Sequence, residues 1–245
     1  MTLIVGIILD NGILMMSDSR ERLENSFNIK CENKRKITIV TPNMILGTAG
    51  SEVTFHTARI LRQSLYNNFE NLTADDCRKS ILDLYSHVNL LYSLNHPQKL
   101  PIGDILIGEY DNLTNNFSLL SVDEINGFTK FTTHNQKQDV LIIGADDNLR
   151  RTAKSQVKKI VNEFTKDSIQ TSDTHFYIAK KCQEIYKNLA TTYMGINDNL
   201  YCVHLSTFNN KVTCSTYFLE NNENIYNIPL SQDGEIIDLK KTFLI

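Results

Sequence analysis

Apolar residues recur along this chain in two rhythms, and the switches between them mark out its elements. Leu3 to Leu9 is nearly all apolar and rich in isoleucine, as a strand covered on both faces would be. Asp10-Asn11-Gly12 is a turn signal, and Ile13 to Asp18 returns as a second strand. Residues 21–34 are polar and read as a loop. Lys36–Val40 and Met44–Ala49 form two more short strands around Thr41-Pro42-Asn43. The period then lengthens. Ser51 stands where a helix N-cap is wanted, and Val53, Ile60, Leu61, Leu65 and Phe69 supply an apolar stripe. Thr73 with Asp76 resembles a capping box, followed by Cys77, Ile81, Leu84, Val88 and Leu91 at helical spacing, with Pro97 and Pro101 closing the region.

Strand rhythm resumes at Ile105–Tyr110, Phe117–Val122, Phe128–Thr133 and Val140–Gly144. Helices are expected over Asp147–Phe164 and Thr174–Tyr193, then strands at Leu200–Ser206 and Val212–Phe218 and an Asn-rich tail. Nothing marks a repeat or a linker, so residues 1–245 read as a single domain. Helices grouped in pairs argue against a doubly wound parallel sheet and suit two sheets between helical layers, an α+β class.

Composition narrows the functions. Of the 245 residues, 41% are hydrophobic and 22% charged, enough for a real core. A net charge of −3 gives no reason to expect nucleic acid or an anionic membrane as partner. No apolar run reaches the ~18–20 residues of a membrane span, and Leu3–Leu9 lacks the flanks of a signal peptide. Cys31, Cys77, Cys182, Cys202 and Cys214 form no CxxC pair, so free thiols in a reducing cytoplasm are expected and no metal site is signalled. The five histidines other than His56 lack ligand spacing. Phosphate-cradling glycine loops, HExxH and GxSxG are all missing, and no cofactor is expected.

What carries chemistry is a set of residues near the start. A threonine at an exposed chain terminus brings a hydroxyl together with its own α-amine as base, whose ordinary pKa is about 7.7–8.0. A neighbouring lysine lowers that value, an aspartate holds the lysine, and a glycine N–H can receive an oxyanion. Thr2 follows Met1, and Asp18 ends the second strand. If Asp10-Asn11-Gly12 is a three-residue loop with Gly12 left-handed, Leu9 faces Ile13 and Asp18 points to the side of Thr2, roughly 7–8 Å away. A two-residue loop turns Asp18 to the other face. Lys36 enters the third strand, with Lys34 two residues earlier as the alternative. Gly50 closes Gly47-Thr48-Ala49-Gly50 ahead of Ser51.

Taken in order, Thr2-Leu3-Ile4-Val5-Gly6, Ser17-Asp18-Ser19-Arg20, Lys34-Arg35-Lys36-Ile37 and Gly47-Thr48-Ala49-Gly50 resemble the proteasome β-subunits and the related bacterial ATP-dependent peptidase ring. The sharp match spans the first fifty residues; Ile142-Ile143-Gly144-Ala145-Asp146 extends it weakly. The resemblance implies a four-layer αββα sandwich of the N-terminal-nucleophile (Ntn) hydrolase type and a threonine peptidase or amidohydrolase. Once Met1 is removed, Thr2 would be nucleophile, Asp18 and Lys36 (or Lys34) the tuning pair, and Gly50 the oxyanion donor. It also implies Thr48, Glu52 and His56 in a substrate pocket, a peptide or protein substrate, a homo-oligomeric ring, a conceivable unfoldase partner and a cytoplasmic location. The same acyl-enzyme would serve a transpeptidase or a narrow amidase, and a non-catalytic structural or assembly subunit would keep the architecture without maturation. The chain departs from that family at Ala145, where a serine is usual, and at Thr191–Gly195, where an Asp and a Ser are usual.

Overall fold

The computed structural model describes residues 1–23, 28–96, 102–122, 127–166, 173–209, 211–220 and 223–226. Pro97, Pro101 and residues 227–245 of the Asn-rich tail lie outside them. The chain opens with β1 (Leu3–Leu9) and β2 (Gly12–Asp18), followed by β3 (Glu21–Arg22) and β4 (Ile29–Cys31). Next come β5 (Ile37–Thr41), β6 (Met44–Gly50), α1 (Glu52–Asn68) and, after a 3-10 turn, α2 (Ala74–Asn95). Strands β7 (Gly103–Asp111), β8 (Asn116–Val122), β9 (Thr132–His134) and β10 (Val140–Gly144) precede α3 (Asp147–Lys166) and α4 (Thr174–Thr192). Strands β11 (Leu200–Phe208), β12 (Lys211–Glu220) and β13 (Glu223–Tyr226) complete the described chain.

All pairings among the described strands are antiparallel. They build a six-stranded sheet ordered β10-β1-β2-β11-β12-β13, a five-stranded sheet ordered β5-β6-β7-β8-β9, and a separate β3-β4 ribbon. The expected four-layer αββα Ntn sandwich is therefore corrected: the strands divide among three antiparallel sheets, accompanied by four helices, and what stands is the coarser α+β class. One reason lies in residues 21–34. Their polarity predicts a loop, yet Glu21 pairs with Cys31 and Arg22 with Ile29 across a bulge, because backbone hydrogen bonding does not require an apolar face.

Why β1 and β2 are so uniformly apolar is clear from their burial. Leu3, Val5, Ile7, Leu14 and Met16 share a cluster with Val157 of α3 and Ile185 of α4. Ile4, Ile8, Ile13 and Met15 face the other way, onto Ile45, Leu106 and Leu119 of the five-stranded sheet. A third cluster joins that sheet's Leu46, Ile105 and Ile107 to Leu61, Leu65, Ile81 and Tyr85 of α1 and α2.

Several local expectations shift. In the β1–β2 hairpin Leu9 pairs with Gly12 and Ile4 with Ser17, so the loop is the two residues Asp10-Asn11, and Gly12 is a strand residue, not a left-handed one. It must be glycine for another reason: a Cβ there would strike the Leu205 carbonyl and the His204 ring of β11. Phe128, expected in a strand, sits at φ 58°, which breaks the extended run; its ring is buried 5.3 Å from that of Tyr85, and β9 starts only at Thr132. On α1 the stripe is rotated. Ile60 is exposed, whereas Arg62 is buried, donating to the Ile39 carbonyl and lying over the Tyr66 ring. Leu91 of α2 is also exposed. The capping box of α2 is present in full, with Thr73 Oγ1 accepting from the Asp76 N–H at 3.1 Å and Asp76 Oδ2 from the Thr73 N–H at 2.9 Å.

Candidate active site

Polar side chains are excluded from the middle of β1 and β2 by the packing on both faces, so Thr2, Ser17, Asp18 and Ser19 gather at one end of the pair. Lys36 arrives there from the other sheet, one residue before β5. Ile37 and Ile39 anchor that strand in the core, and the Lys36 carbonyl accepts the Thr48 N–H of β6 at 3.0 Å.

The Lys36 ammonium donates to Asp18 Oδ2 at 2.6 Å and to Thr2 Oγ1 at 3.1 Å. Both members of the ion pair are enclosed, Asp18 at 0% and Lys36 at 3% exposure. The second carboxylate oxygen is also occupied, accepting the Leu3 N–H at 2.8 Å. From α4, the buried Tyr186 hydroxyl donates to the Leu3 carbonyl at 3.2 Å, so the residue behind Thr2 is held through both its N–H and its carbonyl. Burial pushes the Asp18 carboxyl above its ordinary range, while the charge and hydrogen bond of Lys36 and the Leu3 N–H act against that. At the chain's start, burial first and the Lys36 ammonium next push the Met1 amine down, with Asp18 opposing.

These residues open into a cleft of about 340 Å³, whose lining includes Thr2, Lys36, Gly50, Ser51, Arg20, Lys30, Lys34, Glu52 and Phe55. Gly50 ends β6 at φ 137°, beside Gly103 of β7, where a Cβ would collide with the Ile102 carbonyl. Of the two lysines left open by the sequence, Lys36 adjoins Thr2. Lys34 instead pairs with Glu21 at 3.1 Å and lies 5.7 Å from the Phe55 ring centre.

Asp18 reaches the site in a way the register argument does not anticipate. With a two-residue loop, the register that runs from Leu9–Gly12 to Ile4–Ser17 would, if continued, set Asp18 opposite Leu3 and on the other face from Thr2. Thr2 precedes the first strand residue, however, so the pleat does not set its direction, and Lys36 spans the remaining gap.

The expected pocket residues separate. Glu52 lines the cleft, tied to Lys30 at 3.2 Å. Thr48 is buried, and its hydroxyl approaches the Lys36 carbonyl at 3.5 Å. His56 is on the exposed face of α1, 3.9 Å from Glu52, outside the cleft lining.

A second network escaped the sequence reading. Asn197 Oδ1 accepts the Ser19 N–H at 2.9 Å, and its amide donates to Glu32 Oε2 at 2.6 Å. Arg20 bridges Glu32 at 3.0 Å to the Met194 carbonyl, also at 3.0 Å. Within the Thr191–Gly195 segment, Met194 thus joins this network through its backbone carbonyl while its side chain is exposed, and Ala145 packs on the core. Ser19 and Arg20 stand beside Asp18 and were the available signal; Glu32 and Asn197, 165 residues apart, carried none.

Chemically, the arrangement places a hydroxyl under a buried cation whose own carboxylate is fixed by the backbone. A group of three or more His, Cys, Asp or Glu suited to a metal ion does not occur among the described residues, and no described helix is long and apolar enough to cross a membrane. Neither a protein-family description nor a curated protein matches this chain.

Proposed function

We propose that the chain is an N-terminal-threonine amidohydrolase, acting on peptide or related amide bonds once Met1 has been removed. The observation that carries this reading is the contact of Lys36 Nζ with both Thr2 Oγ1 and Asp18 at the floor of an open cleft. With Thr2 terminal, its amine accepts the hydroxyl proton, and Oγ1 attacks the amide carbon. The Lys36 cation favours the neutral amine and stabilises the developing alkoxide, and the oxyanion finds its donor at Gly50. The tetrahedral adduct expels the substrate's amine, which takes the proton from the Thr2 ammonium, leaving an acyl ester on Thr2. Water, deprotonated by the Thr2 amine, then attacks the ester and releases the acid.

By resemblance to the proteasome β-subunits, the assembly is a homo-oligomeric ring and the location cytoplasmic. A second reading, a structural subunit that never matures, is favoured by one feature: the segment that would support the amine contributes carbonyls held by Arg20, and an exposed Met194, in place of acidic and hydroxyl side chains.

Intact-mass measurement separates the two. Loss of Met1 is expected, followed by covalent labelling with a β-lactone or epoxyketone probe that is absent in Thr2→Ala. Retention of Met1 in the purified wild-type protein defeats the enzymatic reading.

A further inference from the structure

On the flank of the six-stranded sheet, β10 is an edge strand, and β9 is the edge of the five-stranded sheet. Between these edges and α3 lies an open cleft of about 320 Å³. We propose that this cleft docks an extended acidic peptide, which adds to the β10 edge as a further strand with alternating apolar and acidic side chains.

The backbone supplies the first argument. Ile8 N–H bonds to the Asp139 carbonyl, so Asp139 turns toward β1. Gly144, at the other end of β10, turns its N–H outward to Asp104 Oδ2 at 3.3 Å. By the two-residue alternation of an antiparallel ladder, Leu141 and Ile143 bond inward to β1, and Ile142 directs its N–H and carbonyl into the cleft. An edge that no described strand covers is a template for strand addition.

The side chains supply the second. Leu141 and Ile143 face the space between the sheets, with Val122 of β8 also in the lining. A strand seated beside β10 would turn one set of its side chains onto these apolar groups. Its other set would turn toward α3, where Arg151 and Lys154 border the cleft, with Lys130 completing the rim. Four cations and two carboxylates line the cleft, but both carboxylates, Asp104 and Asp147, are engaged by Arg150. Arg151 also acts on Asp147, so Lys130 and Lys154 are left to a ligand; cations outnumber carboxylates in the lining, and the complementary charge is negative.

Fluorescence anisotropy with a labelled peptide alternating glutamate and valine tests this on the full chain. Binding is expected, with the lysine–valine counterpart inert and affinity on the order of tenfold weaker in the double variant Lys130→Glu/Lys154→Glu. Of two glutamate–valine peptides N-methylated at alternate residues, one in each register, the one that loses the donors facing β10 should fail to bind. Equal binding of the two charge types, indifference to the double variant, or full binding of both N-methylated peptides overturns the proposal. Both lysines are exposed, and circular dichroism confirms that the double variant remains folded.

Discussion

At the scale of single residues, Lys36 is the point where stability and chemistry meet. Among the described residues its ammonium is the hydrogen-bond partner of Asp18 Oδ2, and both side chains are buried. Removing one partner of such a buried pair leaves the other charge uncompensated and costs about 3–5 kcal/mol. Lys36→Met is therefore expected to lower the unfolding free energy in urea by that order, and to abolish labelling of Thr2. Adding Asp18→Asn should recover much of the stability and none of the labelling. A single variant as stable as the wild type would show that the pair contributes little to the fold. Thr2 and Asp18 stood out because each lies at the end of an apolar run, where a polar residue is conspicuous, and Gly50 because it stands just ahead of the helix cap Ser51. The choice between Lys34 and Lys36 was not legible, since the two share a strand parity and the decision rests on Glu21, which captures Lys34.

At the scale of elements, the order of strands and helices follows from hydrophobic rhythm, while the pairing of the hairpin does not. Asp10-Asn11-Gly12 is compatible with a two- or a three-residue loop, and the contact of Gly12 with Leu205 and His204 of the neighbouring strand selects the shorter one. Gly12→Ala is consequently a packing change. It should lower the melting temperature by an amount matching roughly 1–3 kcal/mol, the ordinary cost of overpacking, and an unchanged thermal transition would contradict the close approach of β2 and β11. The rotated stripe of α1 has a similar origin. Arg62 is buried because the Ile39 carbonyl and the Tyr66 ring satisfy its guanidinium, compensation that no local pattern reveals.

At the scale of the whole molecule, acid sensitivity follows from a buried histidine away from the candidate site. His204 is enclosed beneath His175, ring centres 3.9 Å apart, and its Nε2 has no hydrogen-bond partner among the described residues. Burial, and then the charge of His175, push its pKa down to about 3 from an ordinary 6.5. The unfolded chain binds a proton that the folded one refuses, so stability is retained above the ordinary value and is lost as pH falls from 6.5 toward 3. Near pH 4.5 the loss should reach ~2–3 kcal/mol. Asp18, with its carboxyl raised, acts in the opposite sense, favouring the fold as pH falls toward the ordinary value of 3.8. Urea unfolding at pH 7 and pH 4.5 should therefore show a smaller acid penalty in His204→Gln than in the wild type. An equal penalty in both proteins would remove His204 from the explanation.

The sequence alone determined where the long apolar strands and the four helices lie, because burial imposes its period on each such segment independently of the others, whereas the polar β3–β4 ribbon and the break at Phe128 left no such trace. It also determined that hydroxyl, carboxylate and lysine stand near the ends of the first strands. Only the tertiary structure decided that the strands divide into three sheets, that Lys36 bridges Thr2 and Asp18 across two of them, and that Glu32 and Asn197 close a network behind them. Such contacts join residues far apart in the chain, where chain folding sets the distance and neighbouring residues carry no trace of it.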